Sequence, residues 1–160
     1  MPSVTASGGY ATHDVFNQAG ALQNYDAFSA DRALAEAVQA FGAAWASDHL
    51  THAGTLVGSE QVQHLARQAN RYLPELRTHD RFGHRADIVE FHPAYHELMQ
   101  LIYGCETHSF AWTHERSGAQ VARGVLSYLW NQGENGICCP MGMTFAAIPA
   151  LCHDAAMLAE

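Results

Sequence analysis

Apolar positions recur at helical spacing in several separate stretches of this chain, and strand-like alternation is rare. Repeats of three and four residues predict amphipathic helices, each with one face directed toward a shared core. The positions that carry these stripes are Leu34, Val38, Phe41 and Trp45; Val62, Leu65, Ala66 and Ala69; Tyr95, Leu98, Met99 and Ile102; and Val121, Ala122, Val125, Tyr128 and Leu129. The pattern therefore predicts an all-α fold, a helical bundle of five or six helices.

Polar residues and prolines beside these stripes indicate where the helices begin and end. Side chains suited to the start of a helix are Asp31, Ser47 or Asp48, Ser59, and Ser117, which with Gln120 resembles a capping box. Pro74 is predicted to end the third helix, whereas Pro93 suits the first turn of the next one. A last apolar helix is predicted from Thr144 to Leu158, with a kink at Pro149.

Three stretches lack this helical pattern. Residues 1–11 are small and polar, which predicts a flexible tail before a domain over residues 12–160. Thr12 to Ala27 predicts an irregular arm, which must lie on a surface of its own domain or of a neighbour. Residues 75–92 predict a charged loop, and Asp87 to Phe91 within it is a candidate for a short extended piece.

Composition and charge exclude several classes of protein. Hydrophobic residues make up 48% of the chain and charged residues only 15%, which is typical of a globular domain. The net charge is -8, and all eight basic residues are arginine, so binding of nucleic acid through this segment is not expected. Neither a signal peptide nor a membrane-spanning stretch is recognisable, and the four cysteines form no C-x-x-C pair. We therefore expect a cytoplasmic protein with reduced cysteines and no membrane partner.

Eleven histidines raise the question of a metal site. His92 and His96 are four residues apart and Glu97 is adjacent, but the H-E-x-x-H pattern is absent and a third ligand is not evident. Capping and packing roles are favoured for this pair, and His49 and His52 are interpreted as surface residues. No metal ligand is predicted, and a metal-dependent hydrolase built on His92 and His96 is a minor alternative.

Cysteine, arginine and tryptophan residues offer three further candidates. Cys138 and Cys139 precede Pro140 at a helix start, which favours a thiolate only modestly, so a nucleophilic cysteine is not predicted. Five arginines fall within residues 67–85 and suit either a phosphate or a lattice of salt bridges, in the domain or between subunits; the acidic residues interleaved with them favour the lattice. The three tryptophans are interpreted as core or interface anchors: Trp45, Trp112 and Trp130.

Five segments together resemble the AidB-like branch of the acyl-CoA dehydrogenases, the branch linked to the adaptive response to alkylation. They occur in the family's order and cover nearly the whole chain from Thr12. The segments are THDVFNQ (12–18), LARQANRYLPELRTHDRFGHR (65–85), VEFHPAYHELMQ (89–100), RSGAQVAR (116–123) and CPMGMTFAAIPAL (139–151). Gly133 and the double cysteine at Cys138 depart from the pattern expected for the family.

The resemblance implies a helical amino-terminal domain that is followed, in the family, by a middle β-domain and a carboxy-terminal helical domain in a homotetramer. FAD lies between the middle and last domains, and the last domain holds the catalytic glutamate and the DNA-binding face. This chain stops at Glu160, where the β-domain is expected to begin. We therefore expect FAD only in the intact protein and no catalytic residue here.

One contribution to the reaction site is still implied by the resemblance. In related dehydrogenases the last helix of this domain lines the acyl pocket, and the matching residues are Met143, Thr144 and Ala147. Simple packing of this helix onto the bundle is the equal alternative. The predicted function is the amino-terminal structural and oligomerisation domain of an acyl-CoA dehydrogenase-like flavoprotein. Its expected partners are its own β- and carboxy-terminal domains and further copies; the alternative is a stand-alone helical interaction module.

Overall fold

The computed structural model describes residues 12–13 and 16–158. Within these residues six helices have nine or more residues, and three helical segments have a single turn, which confirms the predicted bundle. The helices are α1 Ala27–Ala30, α2 Arg32–Ala40, α3 Ser47–Val57, α4 Glu60–Arg71, α5 Pro93–Gly104, α6 Phe110–Thr113, α7 Ala119–Gly133, α8 Cys138–Leu151 and α9 Ala155–Leu158, with a 3-10 turn at Ala44–Ala46. The tail predicted for residues 1–11 lies outside the described residues.

Helix α7 lies at the centre of the bundle and contacts α2, α3, α4, α6 and α8. Its inner side chains Leu126, Leu129 and Trp130 are fully buried. The surrounding helices contribute further members of the same buried cluster, namely Val38, Leu50, Val62, Leu98, Ile102, Phe110 and Met141. Burial of a large apolar side chain contributes about 1.5–3 kcal/mol, so this cluster is the main source of stability.

A close approach of two backbone segments, rather than a capping side chain, sets the start of α7. Gly118 has φ +85° and Gly42 has φ +75°, a region that favours glycine. A Cβ atom on Gly118 would collide with the carbonyl oxygen of Gly42. The capping box predicted for Ser117 and Gln120 is wrong, because no side chain caps α7. The Ser117 carbonyl instead accepts the indole N–H of Trp45 at 2.9 Å.

Predicted side-chain caps do form at two of the other helix starts, and the predicted proline is present at a third. The Asp31 carboxylate caps α2, the Ser59 hydroxyl caps α4, and Pro93 occupies the first turn of α5 as predicted. Helix α3 begins at Ser47, but its cap position is Ala46 and no side chain caps it. The predicted cap at Ser47 or Asp48 is therefore wrong, although the helix start itself is correct.

The amino-terminal arm is irregular over residues 16–26, and its last part lies on its own domain. The Asn24 N–H donates to the Gly58 carbonyl at 2.6 Å, and the Asn24 side chain accepts the Glu60 N–H at 3.0 Å. These bonds fix the arm across the corner between α3 and α4. The one-turn helix that begins at Ala27 was not predicted, because four residues are too few to show a helical repeat.

The charged stretch predicted to be a loop is a β-hairpin. Strands β1 (Glu75–His79) and β2 (Arg85–Glu90) pair antiparallel, with Leu76 opposite Val89 and Arg77 opposite Ile88. The predicted extended piece at Asp87 to Phe91 overlaps β2 only in part. The strands were not predicted because they are exposed on both faces. They therefore lack the alternation of apolar and polar residues that is typical of a half-buried strand.

Helix α8 begins at Cys138, six residues before the predicted start at Thr144. Pro140 is compatible with this, because the first turn of a helix has N–H groups without partners in the helix. The helix continues through Pro149 and ends at Leu151, so the predicted kinked helix is two separate helices, α8 and α9. No helix among the described residues is long and apolar enough to cross a membrane.

Replacement of Gly118 tests the constraint at the start of α7. We expect Gly118→Ala to lower the free energy of unfolding by about 2 kcal/mol or more, because a positive φ and a steric collision both disfavour alanine. Gly124→Ala is the matched control: it lies inside α7 with no atom within 4 Å of the added Cβ, and should raise stability by about 0.5–1 kcal/mol. Urea denaturation measures both, and equal effects would contradict this account.

Candidate functional site

Helix α8 presents an apolar surface that the other described residues leave uncovered. Met141 on its inner side is 1% exposed, whereas Met143 is 69% exposed and Leu151 is 48% exposed. Apolar residues occur on all sides of this helix, which is typical of a helix that is buried on all sides. One side of α8 therefore covers the bundle, and the other side is available to pack against a further structure.

Aromatic and arginine contacts fix the inner side of α8. The Phe145 ring stacks on Trp112 with 4.9 Å between centroids, and the Trp112 indole N–H donates to the Phe145 carbonyl at 3.2 Å. The Arg123 guanidinium lies 4.0 Å from the centre of the Phe145 ring, and its Nε donates to the Thr107 carbonyl at 3.3 Å. Desolvation lowers the pKa of Arg123. These contacts set which side of α8 faces outward.

The three predicted pocket residues lie together on the outer side of α8. Met143, Thr144 and Ala147 are all exposed, and spacings of three and four residues place them on one face of the helix. The Thr144 hydroxyl donates to the Pro140 carbonyl at 2.9 Å, which leaves its oxygen free to accept a hydrogen bond. The face is thus apolar with a single hydrogen-bond acceptor.

His92, at the start of α5, has a structural role. His92 Nδ1 accepts the N–H of Ala94 at 3.2 Å, and its ring stacks on Tyr72 with 4.9 Å between centroids. These are the capping and packing roles predicted for this residue. Among the described residues, no three His, Cys, Asp or Glu side chains converge closely enough to hold a metal ion.

His49 differs from its prediction as a surface residue. It is half-buried, its Nε2 lies 2.9 Å from the Cys105 carbonyl oxygen, and its ring packs on Phe110 at 4.9 Å. The sequence around His49 is polar and therefore indicated a surface position. Its partners Cys105 and Phe110 are more than 50 residues away along the chain, so local sequence did not indicate the contact. His52 is exposed, as predicted.

Burial makes two of the four cysteines, Cys105 and Cys138, poor nucleophiles. Burial raises the pKa of Cys138 to about 11, and Glu134 adds to this rise. Burial also raises the pKa of Cys105 to about 11. Because the thiolate is the reactive form, both groups are poor nucleophiles near neutral pH. The start of α8 therefore does not activate Cys138.

The arginine-rich segment forms only part of the predicted salt-bridge lattice. Arg77 pairs with Glu90, and Arg85 pairs with Asp87 at 2.6 Å, but all four side chains are largely exposed. Exposed pairs of this kind contribute about 0–1 kcal/mol each. Among the described side chains, no carboxylate lies within 4.0 Å of the three remaining arginines of the segment, Arg67, Arg71 and Arg81.

An open groove between α4 and α5 was not predicted. It has a volume of about 730 Å³, and buried Leu65 and Ala94 contribute to its apolar floor. Its walls are mostly polar and include Glu60, Gln61, His64, Gln68, His92 and Glu97. The sequence contains the polar faces of both helices, but it does not show that two such faces meet side by side.

Comparison with known proteins gives a consistent result at the level of sequence and of fold. Residues 17–160 match the family described as the adaptive response protein AidB N-terminal domain. The putative acyl-CoA dehydrogenase AidB of Escherichia coli K12 is 46% identical over 143 residues, which cover 89% of this chain. The match covers only 26% of that relative, so the chain spans about a quarter of its length.

Two solved structures share the fold. The Bd2924 apo-form has a TM-score of 0.78 and 25% identity, over 88% of this chain and 29% of that chain. Caenorhabditis elegans ACDH-11, solved in complex with C11-CoA, has a TM-score of 0.79 and 21% identity, over 96% of this chain and 26% of that chain. The match over residues 17–160 and the identity to the E. coli relative show that the chain belongs to the AidB family of acyl-CoA dehydrogenase-like proteins, as its amino-terminal domain.

Proposed function

We propose that residues 12–160 are the amino-terminal helical domain of an FAD-dependent oxidoreductase that acts on the CH–CH group of an acyl-CoA. The single observation that carries this proposal is the exposed apolar side of α8, in a chain that matches about a quarter of its E. coli relative. An apolar face of this kind is expected to be covered by another structure. The remaining domains of the intact protein are the simplest candidates to cover the apolar face of α8.

Within that assembly, the outer face of α8 forms one wall of the acyl pocket. Met143 and Ala147 supply apolar contacts and Thr144 supplies a hydrogen-bond acceptor, a combination that suits an acyl chain with a polar head. The solved C. elegans neighbour with C11-CoA supports an acyl-CoA as the ligand class. Arg123 and Trp112 contact the inner side of α8 through Phe145, so contacts within this domain set which face of α8 forms the wall.

The flavin does not fit the described residues by themselves. The groove between α4 and α5 has two carboxylates in its walls, which would repel the pyrophosphate of FAD. The outer face of α8 is one side of one helix and encloses nothing on its own. FAD is thus assigned to the intact protein, and residues of this chain are given no catalytic step.

Three further properties belong to the proposal. The intact protein is a cytoplasmic homo-oligomer, and this domain contributes to self-association through surfaces outside the core. Any association of the intact protein with DNA in an alkylation response occurs through other domains, since this chain has a net charge of -8. A stand-alone interaction module is the alternative, and the chimera described below distinguishes it from the proposed domain.

The chain alone should not bind flavin. We expect purified residues 1–160 to be colourless after incubation with FAD and gel filtration, because the groove between α4 and α5 is open and carries two carboxylates. Visible absorption and the flavin released on denaturation measure this. Stoichiometric bound flavin would contradict the proposal.

A chimera tests the proposed acyl wall. The chain replaces the matching amino-terminal segment of the E. coli relative, to which it is 46% identical. We expect the chimera to retain as much flavin as that relative does when purified in the same way. In the chimera, Ala147→Phe should weaken acyl-CoA binding about tenfold or more, because a phenyl group overfills the pocket at a cost of about 1–3 kcal/mol.

The neighbouring residue provides the control. Ala146 is also exposed, but it points about 100° away around α8, so Ala146→Phe should change acyl-CoA binding less than about threefold. Isothermal titration measures both variants. A chimera that folds and loses all flavin would favour the stand-alone module, and equal losses of acyl-CoA binding in the two variants would exclude a specific wall at Ala147.

A further inference from the structure

The hairpin tip, residues 80–84, has an ordered and exposed conformation. The Asp80 carboxylate accepts the N–H groups of Phe82 at 2.8 Å and of His84 at 2.9 Å. It also lies 3.0 Å from the ring Nδ1 of His84. These hydrogen bonds hold the turn in one shape although it lies away from the core. The two side chains between these anchors are therefore presented in a fixed direction.

Those two side chains are Arg81 and Phe82, and the phenylalanine ring is exposed to solvent. Phe82 is 71% exposed, and the Arg81 guanidinium lies 4.8 Å from the centre of its ring. No carboxylate among the described residues lies within 4.0 Å of Arg81. Arginine and aromatic side chains are enriched at the centres of protein interfaces, where they contribute most of the binding energy.

The apolar side chains of the two strands that carry this tip are also exposed to solvent. Leu76 is 64% exposed, Ile88 is 56% exposed and Val89 is 51% exposed, and these residues are distributed over both faces of the hairpin. A two-stranded sheet in water is only marginally stable without packing against something else. The hairpin is therefore an element that gains stability from a partner.

The groove between α4 and α5 has the complementary chemistry. The Glu60 and Glu97 carboxylates line it, and neither is within 4.0 Å of an arginine among the described residues. Buried Leu65 and Ala94 supply an apolar floor between them. Its volume of about 730 Å³ is in the range of pockets that hold a molecule larger than two side chains.

We propose that the hairpin tip of one copy of this chain docks in the α4–α5 groove of a second copy. Phe82 covers the apolar floor formed by Leu65 and Ala94, and Arg81 pairs with Glu97. A two-fold arrangement uses both elements of each copy, so the contact is made twice and closes a dimer. This inference rests on the self-association proposed above and names the surfaces that perform it.

The distribution of charge favours a second copy as the occupant. Arg81 at the tip has no carboxylate within 4.0 Å, and Glu60 and Glu97 in the groove have no arginine within 4.0 Å, among the described residues. A second copy therefore brings an arginine without a carboxylate partner to a groove whose carboxylates have no arginine partner. The tip does not fill the groove of its own chain, because Phe82 is 71% exposed there.

The test is the oligomeric state of the full 160-residue chain and of charge-reversal variants, measured by sedimentation equilibrium over a range of concentrations and salt. We expect a dimer that weakens with added salt. Arg81→Glu and Glu97→Arg should each weaken dimerisation about tenfold or more, and the double variant should recover most of the loss. Phe82→Ser should weaken dimerisation without lowering the free energy of unfolding, because its side chain is exposed in the monomer.

Matched controls lie on α2, where Arg32 and Glu36 form an exposed pair 2.7 Å apart. Arg32→Glu and Glu36→Arg make the same changes in net charge and should leave dimerisation unchanged. A chain that is monomeric at every concentration overturns both the proposed self-association and this inference. A dimer that is insensitive to Arg81→Glu and Glu97→Arg overturns only the inference, as does a double variant that recovers nothing.

Discussion

The burial of α7 is the constraint on which the rest of this structure depends. Leu126, Leu129 and Trp130 are completely covered by helices from both earlier and later in the chain. The backbone contact between Gly118 and Gly42 fixes where α7 starts, and therefore where its apolar side faces. Helices α2, α3, α4, α6 and α8 pack directly on this central helix, so the surfaces that they carry take their positions from it.

Helix α8 connects the fold to its function. Its inner side completes the core through Met141 and is held by Phe145, which contacts Trp112 and Arg123. Its outer side has no such partner among the described residues, yet it is as apolar as the inner side. A helix with this composition is stable when both sides are covered. The structure thus agrees with the family assignment, in which this domain is one part of a larger protein.

The sequence was sufficient to predict the bundle, because stripes such as Leu98 with Ile102 repeat over several turns. The sequence was not sufficient to predict exposed strands, or helix starts that depend on residues far away along the chain. The hairpin at Glu75–Glu90 has no buried face, so it has no periodic signal. The start of α7 depends on Gly42, which lies far from Gly118 in the sequence. The grouping of Met143, Thr144 and Ala147 followed from helical spacing, whereas the α4–α5 groove required knowledge of how two helices pack.

Hydrogen exchange along α8 tests the central claim most directly. Amide protection reports local stability, which rises when a helix face becomes covered. The account predicts that the amides of residues 143–151 exchange rapidly in the 160-residue chain and become strongly protected in the chimera with the E. coli domains, while α7 is protected in both. Equal exchange rates for residues 143–151 in the two proteins would show that the outer face of α8 remains in water, and would contradict its assignment as a buried wall.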